Sequence, residues 1–247
     1  MNRSCWIIAG ATSAIAIRFA QLIAKCGDQL ILLGRDHEKL SATQKDLQIR
    51  YNIIVDTISF DAEKTSEHQE IATRCMQIAK YPINLLVAFG LMLPGLSADH
   101  SQADVVKVIN INFTSVASIT FSFLSYFRTQ KQGHILILGS VAGDRGRPSN
   151  FDYGAAKTAL ETFYEGLRAS LIHDNVSVTV MKLGYIDTPM TYGKAGYFLA
   201  VSPERCAEAC LIAAENKVAV KYFPWFWRWI MLIFKLMPRF ILYRIKV

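Results

Sequence analysis

Residues 5–16 read CWIIAGATSAIA, an apolar run that ends in a glycine and passes directly into a helical pattern of small residues. A continuous apolar run of this kind predicts a strand that is buried on both faces of a sheet. The turn at Gly10 would leave backbone N–H groups and a helix start free to bind a pyrophosphate, and Thr12 and Ser13 could add hydroxyl donors. Because Gly10 is the only glycine of the loop, the motif alone does not distinguish a nucleotide site from an ordinary β-α turn.

The rest of the chain repeats this alternation of strand and helix, which predicts an α/β fold with a parallel, doubly wound sheet and right-handed crossovers. No repeat, linker or low-complexity stretch divides the chain, so we expect one domain over residues 1–222 and an amphipathic hydrophobic tail over 223–247. The predicted strands are 5–10, 29–33, 53–59, 83–89, 133–139, 176–183 and 218–222. The predicted helices are 14–26, 36–50, 65–80, 104–129, 152–173 and 203–216.

Composition excludes several classes of protein. With 52% hydrophobic and 19% charged residues, the chain is not of the disordered type. The five cysteines include no Cys-x-x-Cys pair and His-Glu-x-x-His is absent, so we expect no disulfide framework and no metal site. Reduced thiols and the lack of a signal-peptide pattern indicate a cytoplasmic setting.

The net charge of +7 belongs to the end of the chain. From Lys217 onward there are seven basic residues and no acidic ones, whereas the preceding residues carry 20 of each sign. A neutral body argues against binding of nucleic acid.

The tail, residues 223–247, combines these cations with three of the four tryptophans. Its longest charge-free apolar run after Arg228 is six residues, whereas a bilayer span needs roughly 18 or more. Pro238 should interrupt a helix here. The pattern favours a helix lying on anionic lipid, peripheral to the inner face of a membrane. A lid or an oligomer interface is the alternative.

Ser140, Tyr153 and Lys157 form the pattern that indicates chemistry. Tyr153 and Lys157 are four residues apart and share one face of a predicted helix, and Ser140 closes the preceding strand. Bringing a tyrosine from a pKa near 10 to near neutrality requires about 4 kcal/mol in favour of the phenolate. One ammonium at about 4 Å supplies that much at an effective dielectric near 20. The triplet predicts a proton donor for carbonyl reduction, with Ser140 holding the carbonyl oxygen.

The ends of the second and third strands bear on the choice of dinucleotide. Arg35 suits the 2′-phosphate of NADP, whereas an acidic residue there would favour NAD. The adjacent Asp36 keeps NAD open as the less favoured cofactor. Asp61 is either a contact for the adenine edge or the N-cap of the helix that begins near Thr65.

Six segments in chain order carry a family resemblance: Ala-Gly-Ala-Thr-Ser-Ala-Ile-Ala (9–16), Asp-Ala (61–62), Ile-Asn-Phe-Thr-Ser (111–115), Leu-Gly-Ser-Val-Ala-Gly (138–143), Tyr-x-x-x-Lys (153–157) and Lys-Leu-Gly-Tyr-Ile-Asp-Thr (182–188). Together they resemble the short-chain dehydrogenase/reductase family over residues 4–200. The resemblance implies a Rossmann fold, NAD(P) at the carboxyl ends of the strands and hydride transfer to or from a carbonyl. Residues 184–191 and the tail are similar to a branch that includes decaprenylphosphoryl-2-keto-ribose reductase-like proteins.

The resemblance implies a role for each matching residue. Tyr153 is the implied general acid/base, Lys157 lowers its pKa and holds the nicotinamide ribose, and Ser140 orients the substrate oxygen. Asn112 is implied to kink the central helix and to position a water in a proton relay, with Asn110 as an alternative match. The implied cofactor-binding residues are Gly10, Thr12, Ser13, Ile15, Arg35, Asp61, Ala62, Gly90, Tyr153, Lys157, Ile186 and Thr188.

Two departures from the family pattern bear on cofactor affinity. The second and third loop glycines are Ala14 and Ala16 here, whose methyl groups could crowd the pyrophosphate, and the usual Asn-Asn-Ala-Gly is Val-Ala-Phe-Gly at 87–90. We expect an NADP(H)-dependent reductase of a ketone, or the reverse oxidation, on a hydrophobic or lipid-linked substrate. A soluble 3-oxoacyl-thioester reductase and a non-catalytic NADP-sensing or scaffold protein are the alternatives. The family commonly forms homodimers or homotetramers.

Overall fold

The computed structural model describes residues 3–191 and 199–242. Within them, seven parallel strands form one sheet in the order β3-β2-β1-β4-β5-β6-β7. The order reverses between β1 and β4, so the sheet is doubly wound as predicted. The strands are β1 (Cys5–Ala9), β2 (Gln29–Gly34), β3 (Val55–Ser59), β4 (Ile83–Val87), β5 (Gly133–Ser140), β6 (Val176–Leu183) and β7 (Val220–Phe223).

Helices cover both faces of the sheet because alternate strand residues point to opposite sides. Ile7 belongs to a core with α3, α5, α6 and α7, whereas Ile8 belongs to a core with α1, α2 and α8. The helices are α1 (Ala14–Lys25), α2 (His37–Tyr51), α3 (His68–Ile78), α4 (Gln102–Ile109), α5 (Ser115–Ser122), α6 (Leu124–Gln130), α7 (Phe151–Ser170), α8 (Pro203–Glu215), α9 (Trp227–Leu236) and α10 (Arg239–Leu242).

The long helix predicted at 104–129 is interrupted. A π-helical segment, Asn110–Thr114, joins α4 to α5, and α6 is a separate helix. The Asn112 amide donates to the backbone oxygen of Val108 at 2.9 Å and so competes with the regular helix hydrogen bonds. Among the described residues, Gln102–Ser122 is the helical segment long and apolar enough to cross a membrane, and its Val116 and Ile119 are buried against the sheet.

The tail begins as an ordered part of the molecule. Trp227 and Met231 of α9 are buried against Val141, and Lys235 pairs with Asp144 at 2.7 Å. The helix ends at Leu236, before Pro238, as predicted. The last five residues of the predicted membrane-contacting tail, 243–247, lie outside the described residues.

Candidate active site

The loop after β1 meets the end of β4 where the strand order reverses. Gly10 has φ +84°, and a Cβ at this position would lie 2.7 Å from the backbone nitrogen of Phe89. Both the left-handed conformation and the close approach therefore require glycine. The space that the missing side chain leaves lies in the crevice where doubly wound sheets bind dinucleotides.

Helix α1 begins directly after this turn. Ser13 caps it by accepting a hydrogen bond from the backbone nitrogen of Ala16 at 3.2 Å, which leaves the hydroxyl proton of Ser13 free to be donated. Ala14 and Ala16 both lie in regular helix, and Ala16 is fully buried in the core. The methyl group of Ala16 therefore packs into the core, whereas Ala14 is half-buried. Ile15 is also buried in the core, so only its backbone N–H faces the turn.

The two residues after β2, Arg35 and Asp36, have different surroundings. Asp36 caps α2 by accepting from the Lys39 backbone nitrogen at 3.0 Å and pairs with the Lys39 ammonium at 3.1 Å. These hydrogen bonds from Lys39 hold the pKa of Asp36 below its usual value. Arg35 is exposed and makes no hydrogen bond or ion pair within the part of the chain that the structure describes. Arg35 is thus the free charged group at this strand end.

Asp61 follows β3 and closes a tight turn. Its carboxylate accepts from the backbone nitrogen of Glu63 at 3.1 Å. The short helix Thr65–Glu67 is preceded by Lys64 and has no side-chain cap, so the N-cap interpretation of Asp61 is wrong. Ala62 anchors the same turn because its backbone oxygen accepts the Ser115 hydroxyl at 2.5 Å.

Asn112 faces the site, whereas Asn110 is exposed. The Asn112 side chain is fully buried, accepts from the backbone nitrogen of Leu91 at 3.1 Å and donates to the backbone oxygen of Leu91 at 2.6 Å. A Cβ on Gly90 would lie 2.8 Å from the Asn112 side-chain oxygen and 3.8 Å from the Lys157 Nζ. Gly90 therefore lies beside both side chains, and any larger residue here would clash with the Asn112 amide.

Phe89 follows β4, and its ring lies 5.4 Å from that of Phe60, which follows β3. An aromatic contact thus joins the ends of these two strands.

Ser140, Tyr153 and Lys157 converge as the spacing predicts. The Ser140 hydroxyl oxygen accepts from the backbone nitrogen of Ala142 at 3.1 Å, and the Ser140 side chain lies near enough to Tyr153 to act on the pKa of its phenol. Lys157 donates to the backbone oxygen of Leu138 at 3.2 Å, and its Nζ lies 5.5 Å from the centroid of the Tyr153 ring. The phenol, the hydroxyl and the amine therefore line one small region at the end of β5.

The charge states of this triplet differ from the expectation. Burial raises the pKa of Tyr153 to about 12, although the nearby Ser140 side chain acts in the opposite direction. Burial also lowers the pKa of Lys157 to about 8. The predicted phenol pKa near neutrality is therefore wrong for these residues by themselves. The spacing argument neglected desolvation, which disfavours the phenolate and the ammonium alike.

The segment after β6 offers mainly backbone groups. Ile186 is buried and forms a parallel bridge with Val201, and its backbone oxygen accepts the Thr191 hydroxyl. Thr188 lies beside Thr191, with their hydroxyl oxygens 3.3 Å apart. The side chain of Ile186 is therefore not exposed to a ligand.

Two buried charge clusters were missed from the sequence. In the first, Asp144 accepts from Lys182 at 2.5 Å, from Lys235 at 2.7 Å and from the Tyr222 hydroxyl at 2.8 Å, while Glu161 pairs with Lys182 at 2.6 Å. Burial opposes ionisation of Asp144, but these hydrogen bonds hold its pKa below the usual value.

In the second cluster, Asp152 accepts from Ser97, from His100 and from the Tyr153 backbone nitrogen. Neither cluster has a spacing that a sequence pattern could reveal, because the members of each cluster come from segments far apart in the chain.

Comparison with known proteins agrees with this arrangement. The family model described as short chain dehydrogenase matches residues 4–195. The chain belongs to this family. An uncharacterized oxidoreductase of Mycobacterium tuberculosis is 30% identical to this chain over 237 residues, covering 95% of this chain and 94% of that protein.

Solved structures share the short-chain dehydrogenase fold. One is a short-chain dehydrogenase from Sphingobium yanoikuyae in complex with NADPH (TM-score 0.81, 21% identity, 93% of this chain and 91% of that chain). Another is the bulky-bulky ketone specific alcohol dehydrogenase from Comamonas testosteroni (TM-score 0.83, 20% identity, 97% and 96%). At these identities the likeness shows the fold alone.

Proposed function

We propose that this short-chain dehydrogenase is an NADP(H)-dependent oxidoreductase that reduces a ketone to an alcohol, or catalyses the reverse reaction. The observation that carries the proposal is the convergence of Tyr153 and Lys157, whose Nζ lies 5.5 Å from the centroid of the phenol ring, beside Ser140, whose side chain acts to lower the pKa of Tyr153. An oxygen held between the two hydroxyl groups would receive a hydrogen bond from each.

The residues present fit a dinucleotide. The Gly10 turn leaves a cradle that a Cβ would fill, the start of α1 presents N–H groups to phosphates, and Thr12 and Ser13 add hydroxyl groups. Asp61 and Ala62 stand at the adenine end, while Gly90, Ile186 and Thr188 stand near the nicotinamide end. When bound, the dinucleotide supplies or accepts the hydride.

Arg35 supports NADP over NAD. It is a free guanidinium at the end of β2, and the neighbouring carboxylate of Asp36 is already bonded to Lys39. A 2′-phosphate offers Arg35 a charged partner, whereas a ribose hydroxyl bound by Asp36 would have to displace the helix cap. The solved Sphingobium structure with NADPH agrees with this choice.

Proton transfer is assigned to Tyr153. In the reductive direction its hydroxyl gives a proton to the carbonyl oxygen while Ser140 donates a hydrogen bond to the same oxygen. Lys157 in its charged form then stabilises the phenolate. Asn112 fixes the segment at Leu91 through both atoms of its amide, so the wall opposite Lys157 is held in place.

An apolar wall supports a hydrophobic substrate. Leu91, Met92 and Leu93 pack beside Tyr153 and Val108 at the mouth of the site. A ketone with apolar substituents would bury them here, and a lipid-linked substrate is the form we propose. A 3-oxoacyl thioester is the alternative substrate and is tested in the same assay.

The outer face of the tail supports contact with a membrane. Exposed apolar side chains form a stripe at helical spacing along α9 (Trp229, Leu232, Ile233 and Leu236), with Trp225 just before this helix and Phe240 in α10. Arg228 and Arg239 flank this stripe and are exposed, whereas Lys235 turns inward to Asp144. Aromatic and aliphatic groups beside cations suit the interface of an anionic bilayer. We propose residues 223–247 as the membrane-contacting segment and residues 1–222 as the catalytic domain.

Another apolar surface supports a homo-oligomer. Phe121 of α5 is 62% exposed, and Phe113 and Phe163 lie beside it across α5 and α7. Two copies could cover these rings by packing the same helices together.

The test uses the full chain with NADPH and a panel of aliphatic, aryl and sugar ketones and one 3-oxoacyl thioester, with and without detergent. Tyr153→Phe should keep NADPH binding and lose about 10²- to 10⁴-fold in turnover, whereas Tyr51→Phe, in α2 and far from the site, should lose neither. Unchanged turnover in Tyr153→Phe would overturn the assignment. NADPH binding without turnover of any carbonyl would favour the sensing alternative.

A further inference from the structure

We propose that His100 and Asp152 are positioning residues that form a proton-dependent latch between the β4–α4 loop (residues 88–101) and the helix that carries Tyr153. In this latch the imidazolium of His100 bridges the loop to Asp152. The proposal deepens the proposed function, because the loop it secures is the apolar wall of the same site.

Asp152 is a buried acceptor at the first turn of α7. Its side chain is 4% exposed. One carboxylate oxygen accepts from the Ser97 hydroxyl and from the backbone nitrogen of Tyr153, and the other lies 2.7 Å from His100 Nδ1. The residue that directly precedes the candidate general acid thus holds two side chains of the loop.

The partners of His100 fix its protonation state. Its Nδ1 faces the Asp152 carboxylate at 2.7 Å and its Nε2 faces the backbone oxygen of Pro94 at 3.1 Å. A carboxylate and a carbonyl oxygen both accept and cannot donate, so each ring nitrogen must carry a hydrogen. Only the imidazolium satisfies both contacts, and loss of its proton breaks one of them.

The latch closes the loop over the site. Pro94 and His100 are six residues apart in the loop, so the His100–Pro94 bond folds the loop onto itself. Ser97 is buried and its backbone nitrogen donates to the backbone oxygen of Ser149, just before α7. Leu91 to Leu93, at the start of the same loop, pack against Tyr153. Releasing His100 therefore loosens the wall that a substrate would contact.

The charges around His100 favour the protonated ring. Asp152 on α7 and Asp104 on α4 both face it, and the hydrogen bond to Asp152 is the main cause that raises the pKa of His100 above its ordinary value. Burial opposes ionisation of Asp152, but the hydrogen bonds from Ser97 and His100 hold the pKa of its carboxyl below the usual range. Because the pKa of His100 is higher in the folded protein than in the unfolded chain, the latch is complete at a pH below the pKa of the unfolded chain. It is lost as the pH rises through the pKa of the folded protein.

The test compares wild type with Asp152→Asn and His100→Gln. An amide at position 152 can still accept from Ser97 and from the Tyr153 nitrogen, while its NH₂ donates to an unprotonated Nδ1. The ring then donates from Nε2 to Pro94 as a neutral imidazole. Asp152→Asn should therefore keep the loop closed where His100 is neutral, so that a rise in pH no longer opens it. His100→Gln should open it at every pH.

Hydrogen exchange of residues 88–101, corrected for intrinsic rates and followed across pH, measures loop closure without substrate or dinucleotide. In wild type we expect exchange to rise by about fivefold, the equivalent of one hydrogen bond, as pH passes through the His100 pKa. That rise should be absent in Asp152→Asn, and His173→Gln, an exposed histidine at the other end of α7, should behave as wild type. Ring NMR should place the His100 pKa above 6.5 in wild type and lower it in Asp152→Asn.

Identical pH dependence in wild type and Asp152→Asn, or a wild-type His100 that titrates at or below its ordinary value, would overturn the latch. Failure of the proposed function leaves these measurements valid, since neither needs turnover. If turnover is found, the alkaline fall of kcat/KM should be shifted in Asp152→Asn but not in His173→Gln.

Discussion

The Nζ of Lys157 lies 5.5 Å from the centroid of the Tyr153 ring, and its hydrogen-bond partner is the backbone oxygen of Leu138. No carboxylate pairs with this amine within the described residues, and burial lowers its pKa to about 8. The pKa of this amine is thus close to neutral pH, where a small change in pH changes its charge. Whether the phenolate finds a cation beside it depends on this titration.

Lys157 should destabilise the fold in its charged form. The pKa of Lys157 is about 8 in the folded protein and 10.5 in the unfolded chain. Between these two pH values the unfolded chain binds more protons than the folded protein, so the free energy of unfolding should rise with pH. Lys157→Met should lack this rise. Urea unfolding midpoints of wild type and Lys157→Met at pH 8 and near pH 10 measure this rise. The cysteine thiols titrate in both proteins, so their contribution cancels in the difference between the two. Parallel curves would contradict the buried-amine assignment.

Arg35→Ala should weaken NADPH binding by about tenfold to a hundredfold, the equivalent of one charged hydrogen bond, and leave NADH binding nearly unchanged. Fluorescence titration of both dinucleotides checks the ratio. Arg50→Ala is the matched control, because Arg50 is an exposed arginine that pairs with Asp46 at the far end of α2. Equal losses for NADPH and NADH would remove the case for a 2′-phosphate contact.

Replacing Trp229 and Ile233 together by glutamine should reduce co-sedimentation with phosphatidylserine vesicles by about tenfold or more, since both apolar side chains leave the lipid. The control is Ile49→Gln, which removes an isolated side chain that is 84% exposed on α2. If wild type ignores the vesicles and the double variant instead changes its sedimentation as an oligomer, the stripe is a subunit interface.

Gly184→Ala should displace α9, because a Cβ at 184 would lie 1.9 Å from the indole nitrogen of Trp227. We expect a loss of about 1 to 3 kcal/mol of stability and a change in tryptophan fluorescence. Gly166→Ala offers the contrast: the position is exposed in the middle of α7 with open space around it, so alanine should stabilise by about 0.5 to 1 kcal/mol. A silent Gly184→Ala would mean that α9 does not pack as described.

Because α9 packs on the catalytic domain, removal of the tail should affect stability as well as membrane binding. Deleting residues 223–247 removes Trp227 and Met231 from the core and leaves Asp144 without Lys235. Loss of vesicle binding in such a truncation would therefore mix destabilisation with loss of the lipid contact. Substitutions on the exposed stripe avoid this problem.

The fold was predictable because local patterns decide it. The continuous apolar strands and the period of the helices predict the sheet and its layers. The site residues lie at the carboxyl ends of parallel strands, which meet at one edge of the sheet. The sequence prefers Asn112 to Asn110 as a site residue, and the structure shows the amide of Asn112 pairing with Leu91.

What the sequence could not show depends on burial and on distant partners. The pKa of Tyr153 follows from desolvation, which a four-residue spacing does not reveal. The Asp152–His100 contact joins residues 52 apart. Lys235 appeared to be a surface cation of the tail, and its ion pair with Asp144 depends on how α9 folds back.

Asp144 lies four residues after Ser140 and holds Lys235 of α9. If the proposed contact of the opposite side of α9 with a bilayer holds, this carboxylate would help to set the height and tilt of the candidate site above the lipid headgroups. A substrate carried on a polyprenyl or acyl chain would then reach the site by lateral diffusion, in two dimensions, and its reactive carbonyl would not have to leave the leaflet that holds its anchor.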